Sequence, residues 1–256
     1  MKAILDDPAG AVIGLDFDGT LSPIVPDPAT AMIHPKAPEV LAELGAHVLA
    51  VAIVTGRPPA TALELGPGLA EVPRLVVLGH YGFERWEAGQ ISGPPPHPGV
   101  LDAEAELQLL LESLGLQDVT IEDKGRAVAV HTRRSSDPEG ALARLREPLA
   151  ELAGRRGLVV EPGRFVLELR PPGMDKGQAL SLFLAERAAR SVMFVGDDLG
   201  DLAAFEAVRL SGLPGVTVCS GSAEVTELAE RADIVVDGPD GVVALLEELV
   251  AAFSRS

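Results

Sequence analysis

The sequence is short of several things. One cysteine, Cys219, stands among 256 residues, so no disulfide can close within the chain. Its simplest reading is a small apolar filler. Aromatic residues make up only 4%, so the core must be built from Ala, Val and Leu. Basic residues are outnumbered: 21 Lys and Arg against 38 Asp and Glu leave a formal net charge of −17. That balance disfavours a nucleic-acid backbone or an anionic membrane surface as the main partner. It leaves room for a small anionic ligand, because a bound metal ion can reverse the field inside a pocket. No apolar run reaches a bilayer span before Gly, Pro or a charge interrupts it. Asp6, Asp7 and Pro8 precede the first apolar run, where a secretory signal would carry basic and then apolar residues. The expectation is a cytoplasmic protein.

What is present is the composition of a folded domain. Hydrophobic residues make up 47% and charged residues 23%, which excludes a largely disordered chain. The length allows one large domain or a core with a smaller insert. Three apolar runs, AVIGLDFDG from Ala11, VLAVAIVTGRP from Val48 and SVMFVGDDLGD from Ser191, each end in turn chemistry and show no clean alternation. Such runs predict strands buried on both faces, as in a parallel sheet covered by helices. Helical patterns lie between them, as in APEVLAELGAH from Ala37. The tail alternates again through GVTVCSG, AEVTELAERA, DIVVDG and DGVVALLEELVAAF. The fold class expected is α/β, a doubly wound, mainly parallel Rossmann-like core.

The middle reads differently. GPPPHPG at 93–99 is a boundary neither helix nor central strand would carry. Beyond it come an amphipathic helix, two strands around the turn KGR, a second helix capped by Ser136 or Asp137 with Pro138 in its first turn, and a hairpin around PGR. The order α-β-β-α-β-β predicts a four-stranded antiparallel sheet with two helices on one face. Residues 97–170 are therefore read as an inserted α+β domain, with 1–96 and 171–256 making the core.

The chemistry collects at strand ends, which an open α/β sheet gathers at one crevice. The first strand ends in Asp16 and Asp18, the second in Thr55 and Gly56, and the third in Asp197, Asp198 and Asp201, while Lys176 opens a helix. Two carboxylates at i and i+2 repel if both are ionised, so a cation or covalent chemistry should exploit them. Several acids, a hydroxyl and a lysine suit phosphoryl transfer from a phosphomonoester. One carboxylate attacks phosphorus, another handles the leaving-group proton, and Mg²⁺ offsets the charge.

LDFDGTL, VTGR, DKG and GDDLGD resemble, in order and across the whole chain, the four motifs of the haloacid dehalogenase superfamily of phosphatases. The resemblance implies Asp16 as nucleophile and Asp18 as general acid and base. Thr55 and Lys176 would steady the phosphoryl group, with Thr20, Gly56 and Arg57 beside it. Mg²⁺ would be held by Asp16, Asp197 and Asp18, the last through its backbone carbonyl, and Asp198 and Asp201 would support them.

The insert, between the threonine and lysine motifs, is placed like the α/β cap of some members. Within and around it, IEDKGRAVAVHTR, VLELRPPGMDKG, LSPI and GHYGFE are similar to segments of trehalose-6-phosphate phosphatases. That similarity implies Glu122, Lys124, His131 and Glu168 as groups facing the sugar, and trehalose 6-phosphate as substrate. Two segments depart from the family pattern. Gly200 and Leu202 stand where it has Thr and Glu, and GHYG replaces GxHG, with His80 one place early and Tyr81 in the histidine's position. Other sugar phosphates (sucrose-, mannosylglycerate- or glucosylglycerate-phosphate) are alternative substrates. A non-catalytic phosphosugar-binding regulator is the reading outside enzymes, and the intact Asp16/Asp18 pair argues against it. A trehalose-phosphate synthase, if it is a partner, is expected to be a separate chain.

Overall fold

The computed structural model describes residues 1–163, 165–221 and 226–255, and the chain divides into two compact units. One is Met1–Gly93 with Asp175–Ser256, and the other is Pro94–Met174.

The first unit opens with a short helix α1 (Lys2–Asp6) and the strand β1 (Ala11–Leu15). It continues through α2 (Ala37–His47), β2 (Ala50–Val54), α3 (Pro59–Leu65) and β3 (Leu75–Gly79) to a hairpin of β4 (Glu84–Glu87) and β5 (Gln90–Ser92). The second unit holds α4 (Pro98–Ser113), β6 (Thr120–Asp123), β7 (Val128–His131), α5 (Pro138–Arg156), β8 (Val159–Gly163) and β9 (Val166–Arg170). The chain then returns to the first unit with α6 (Lys176–Glu186), β10 (Ser191–Gly196), α7 (Leu202–Leu210), β11 (Gly215–Gly221), α8 (Thr226–Arg231), β12 (Ile234–Asp237) and α9 (Gly238–Phe253).

Eight strands of the first unit form one sheet in the order β12-β11-β10-β1-β2-β3-β4-β5. All pairings are parallel except those of the β4–β5 hairpin and of β4 with β3. The α/β class expected from the strand runs is the one observed. Every residue of β1, β2, β3 and β10 is buried, as their unbroken Val, Ile, Leu and Ala runs require. Alternate residues serve opposite faces. Ile13, Leu15, Val51, Ile53, Met193 and Val195 pack with Leu41 and Leu44 of α2 and Val242, Leu246 and Leu249 of α9. Phe194 points the other way, meeting Phe205 of α7 edge-on with ring centroids 6.3 Å apart. Burying each such side chain is worth about 1.5–3 kcal/mol relative to leaving it exposed. β1 lies between β10 and β2, so the chain winds outward from β1 in both directions. Such a reversal opens a crevice at the carboxyl ends of the central strands.

The sequence reading does not include α1, α7 or the β4–β5 hairpin. α1 is a single turn, and the β4–β5 hairpin carries a mostly exposed or half-buried pattern that lacks the apolar-run signal. Two expected features lie partly outside the described residues. They are Arg164 of the PGR turn and Ala223–Val225 at the start of the helix expected after β11.

In the second unit β6-β7-β9-β8 form an antiparallel sheet. Val128, Val130, Leu167 and Leu169 turn to one face and pack with Leu107 and Leu111 of α4 and Leu145, Leu149 and Leu152 of α5. Asp137 caps α5 by accepting the Gly140 N–H at 3.0 Å. The face away from the helices carries Glu122, Ala129, Glu168 and Glu161, which lie opposite one another along one row across four strands. The alternation along β7 and β9 thus separates an apolar from a charged face.

Candidate active site

The sheet edge brings the predicted acids together by strand register. Leu15, the last residue of β1, lies opposite Val195 of β10 and Ile53 of β2. Asp16 therefore follows at the carboxyl edge, where its N–H donates to the Val195 carbonyl at 2.9 Å. Asp197 stands one residue beyond β10 and Thr55 one residue beyond β2. Lys176 is the first residue of α6, whose N-cap Asp175 accepts the Gln178 N–H at 2.8 Å.

The Lys176 Nζ lies 2.8 Å from Asp16 Oδ1 and 2.8 Å from Asp201 Oδ1. The other Asp201 oxygen accepts the N–H groups of Asp197 and Asp198 at 3.0 and 3.3 Å. One oxygen from each of Asp16, Asp197 and Asp201 lies within 4.8 Å of the others. All four side chains are buried, with Asp16 at 4%, Asp197 at 5%, Lys176 at 5% and Asp201 at 0% exposure. Burial pushes the Asp16 carboxyl well above the ordinary carboxylate range; Lys176 opposes the rise while Asp201, Asp198 and Asp18 add to it. Burial, then the neighbouring Asp16, pushes Asp197 up to about 10. Asp201 is raised by burial too, against the pull of Lys176. Burial alone would lower Lys176, but Asp16 and Asp201 outweigh it and hold the ammonium well above its ordinary value.

One lysine cannot neutralise three ionised carboxylates. A hard divalent cation among these oxygens is the arrangement that lets all three stay charged, and carboxylate oxygens are the donors Mg²⁺ prefers. The backbone makes room for the Asp197 carboxylate. Gly19 adopts φ +76°, and a Cβ there would fall 1.9 Å from Asp197 Oδ2. The motif glycine is thus required both by the turn and by the carboxylate beside it.

Asp18 is placed differently from its neighbour. Its carboxylate accepts a two-pronged contact from Arg57, with Nε and Nη2 each at 2.7 Å. The Arg57 guanidinium, read from the sequence as a substrate contact, is thus engaged by the motif's second aspartate. Thr55 is buried and its Oγ1 accepts the Arg57 N–H at 3.1 Å, which leaves the hydroxyl proton to donate. Thr20 is fully buried, and its Oγ1 has no hydrogen-bond partner among the described residues. Asp198 turns outward and caps the next turn through the Gly200 N–H at 2.8 Å. Asp201, expected as a supporting acid, lies in one cluster with Asp16 and Asp197, placed there by the turn that brings residue 201 back under the 197 and 198 amides.

Two features were not read from the sequence. Ser220, near the end of β11, donates from Oγ to the Gly19 carbonyl at 2.6 Å and so braces the first motif. His80 and Tyr81 both have left-handed backbones, with φ 49° and 57°. Their N–H groups donate to the carbonyls of Arg57 and Thr55 at 3.1 and 2.9 Å. Tyr81 also reaches over the motif loop, since a Cβ on Gly56 would meet its hydroxyl oxygen at 2.8 Å.

In the second unit, Lys124 Nζ lies 2.5 Å from Glu168 Oε2 and His131 Nε2 lies 2.7 Å from Glu122 Oε2. Arg170 Nη2 pairs with Glu161 at 2.7 Å. Glu168 is 4% exposed, and its Oε1 has no hydrogen-bond partner among the described residues. The four residues singled out in the insert therefore form an ion pair, Lys124–Glu168, and a hydrogen-bonded pair, His131–Glu122, on the charged side of one small sheet.

The family model described as trehalose-phosphatase matches residues 14–237, which span both units. The chain belongs to the trehalose-phosphatase family. A probable trehalose-phosphate phosphatase of Sinorhizobium fredii is 32% identical over 221 residues, covering 83% of this chain and 80% of that protein. Among solved structures, a trehalose-6-phosphate phosphatase of Aspergillus fumigatus is 27% identical with a TM-score of 0.66, covering 95% of this chain and 93% of that one. A haloacid dehalogenase-like hydrolase from Bacteroides thetaiotaomicron shares the fold, with a TM-score of 0.65 at 20% identity over 93% of this chain and 99% of that one. In trehalose-phosphatase terms, the segment 14–237 begins inside β1 and ends with β12, so it takes in Asp16, Lys176 and Asp197 together. Among the described residues, no helix is long and apolar enough to cross a membrane.

Proposed function

We propose that the chain hydrolyses trehalose 6-phosphate to trehalose and inorganic phosphate through an aspartyl-phosphate on Asp16. The observation that carries this reading is the buried Asp16–Lys176–Asp201 contact beside Asp197, in a chain of the trehalose-phosphatase family. Asp16 attacks phosphorus as the bond from phosphorus to the sugar oxygen breaks. Asp18 gives its proton to that oxygen, then takes one from the water that releases phosphate and restores Asp16. Lys176 holds the Asp16 carboxylate and offsets the charge of the incoming phosphoryl group, and the Thr55 hydroxyl donates to a phosphoryl oxygen.

Asp16 and Asp197 are the side chains that would hold Mg²⁺, with the Asp18 carbonyl as a further oxygen and Asp198 and Asp201 in support. When bound, the ion supplies positive charge to the phosphoryl oxygens and orients them. Residues 97–170 are read as the cap of a catalytic core made by 1–96 and 171–256. Glu122, Lys124, His131 and Glu168 are read as sugar contacts, and the orphaned Glu168 oxygen on a charged sheet face supports that. The enzyme so described acts in the cytoplasm on a small sugar phosphate supplied by a separate synthase.

The test is phosphate release over a panel of sugar phosphates that includes trehalose 6-phosphate and the sucrose, mannosylglycerate and glucosylglycerate esters. The trehalose ester should give the highest kcat/KM. Asp16→Asn should abolish turnover with the far-UV spectrum unchanged, and near-normal turnover in that variant would sink the nucleophile assignment. Chelation should remove activity and Mg²⁺ should restore it, while Ca²⁺ should substitute poorly because its bonds are longer and its shell larger.

A further inference from the structure

The Arg57 side chain is held on three sides. Nε and Nη2 clasp the two Asp18 oxygens at 2.7 Å each, Nη2 also donates to the Pro28 carbonyl at 2.9 Å, and the guanidinium lies 5.7 Å from the centroid of the Phe17 ring. Its side chain is 11% exposed, whereas that of Asp18 is 42% exposed. The backbone of Arg57 is fixed as well. Its N–H donates to Thr55 Oγ1, and its carbonyl accepts from His80, the first of two successive left-handed residues. A left-handed non-glycine residue is strained and persists only where its surroundings over-determine it. Two of them, both hydrogen-bonded to the 55–57 loop, make that loop a rigid base.

A partly exposed carboxylate has many rotamers, and a two-pronged guanidinium leaves it one. We propose that Arg57 is a positioning residue that aims the Asp18 carboxyl for proton transfer to the leaving oxygen. It does this with the fork rather than by touching the substrate. This rests on the reading of Asp18 as acid and base. In that step the Asp18 proton passes to the sugar oxygen as its bond to phosphorus breaks, and the electron pair of that bond stays with the oxygen. A leaving group stable as an anion needs no such proton, so it separates aiming from binding.

The experiment compares wild type, Asp18→Asn, Arg57→Ala, Arg57→Lys and the double variant Arg57→Ala/Asp18→Asn in Mg²⁺. The substrates are trehalose 6-phosphate, whose leaving group is an alkoxide, and p-nitrophenyl phosphate. Arg57→Ala should lower kcat on the sugar ester by about 10²-fold, at the lower end of the range for general acid–base catalysis. KM should change by less than about threefold, and the aryl ester should lose far less. Lysine keeps the charge but not the fork, so Arg57→Lys should stay close to Arg57→Ala. The double variant should be no slower than Asp18→Asn alone, and millimolar guanidinium should restore part of the Arg57→Ala rate. Equal losses on both esters, multiplying losses in the double variant, or a raised KM with unchanged kcat would overturn the proposal. The last of these would make Arg57 a substrate contact. If Asp18→Asn leaves both rates intact, the acid–base reading fails and takes the positioning role with it. If Asp18→Asn is slow and Arg57→Ala is not, the positioning role fails alone. Should Arg57→Ala not fold, by thermal melt, the same comparisons are made with Arg57→Lys.

Discussion

Asp197 lies in a buried cluster of three acids. Burial beside Asp16 and Asp201 pushes it up to about 10, and Asp16 and Asp201 are raised with it. A carboxyl raised in the folded state binds a proton that the unfolded chain has already released. Folding is therefore favoured below the folded pKa and loses stability as pH climbs from the ordinary carboxylate range toward it. In chelator, Tm should fall steadily between about pH 5 and 9, and millimolar Mg²⁺ should flatten that fall by supplying the missing positive charge. A Tm in chelator that rises over this range would contradict the assignment. Asp16, Asp197, Thr55 and Lys176 were legible in the sequence because each directly follows a buried strand or opens a helix. The Asp18–Arg57 fork was not legible. It joins side chains 39 positions apart whose rotamers are set by Phe17, Pro28 and the His80–Tyr81 turn, and no spacing rule encodes those contacts.

At the scale of elements, the small sheet divides cleanly into an apolar side packed on α4 and α5 and a side bearing Lys124–Glu168 and His131–Glu122. If that charged side reads the sugar, Glu122→Ala, Lys124→Ala and Glu168→Ala should each cost roughly 1.5–3 kcal/mol of transition-state binding, about ten- to a hundredfold in kcat/KM. The loss should appear on trehalose 6-phosphate and barely on p-nitrophenyl phosphate, whereas Thr55→Ala and Lys176→Ala should damage both. Parallel kinetics on the two esters decide it, and equal losses would assign these residues to folding alone. The elements themselves were legible where burial is uniform. β1, β2 and β10 are apolar on both faces, and helical periodicity marked α2 and α4. The β4–β5 hairpin escaped because a strand at a sheet's outer edge needs no apolar pattern. Its turn runs through Ala88 and Gly89 with φ 49° and 82°, a conformation for which alanine gives little warning.

At the scale of the whole molecule, the unit Pro94–Met174 has its own core of two helices on four strands. Produced alone, it should melt cooperatively and show dispersed amide resonances, and a non-cooperative melt would mean that it depends on the rest of the chain. The same interruption has a consequence for how the protein is made. β1 leaves the ribosome well before one of its two sheet neighbours, β10, which is not synthesised until residues 191–196. Until then the nascent sheet can extend only from β1 toward β5, and β1 stands as an open edge that is apolar on both faces. Such an edge is a template for pairing with another chain. Nascent chains stalled before residue 191 should therefore be strong chaperone clients, while those that continue through β10 should leave the chaperone as that edge closes.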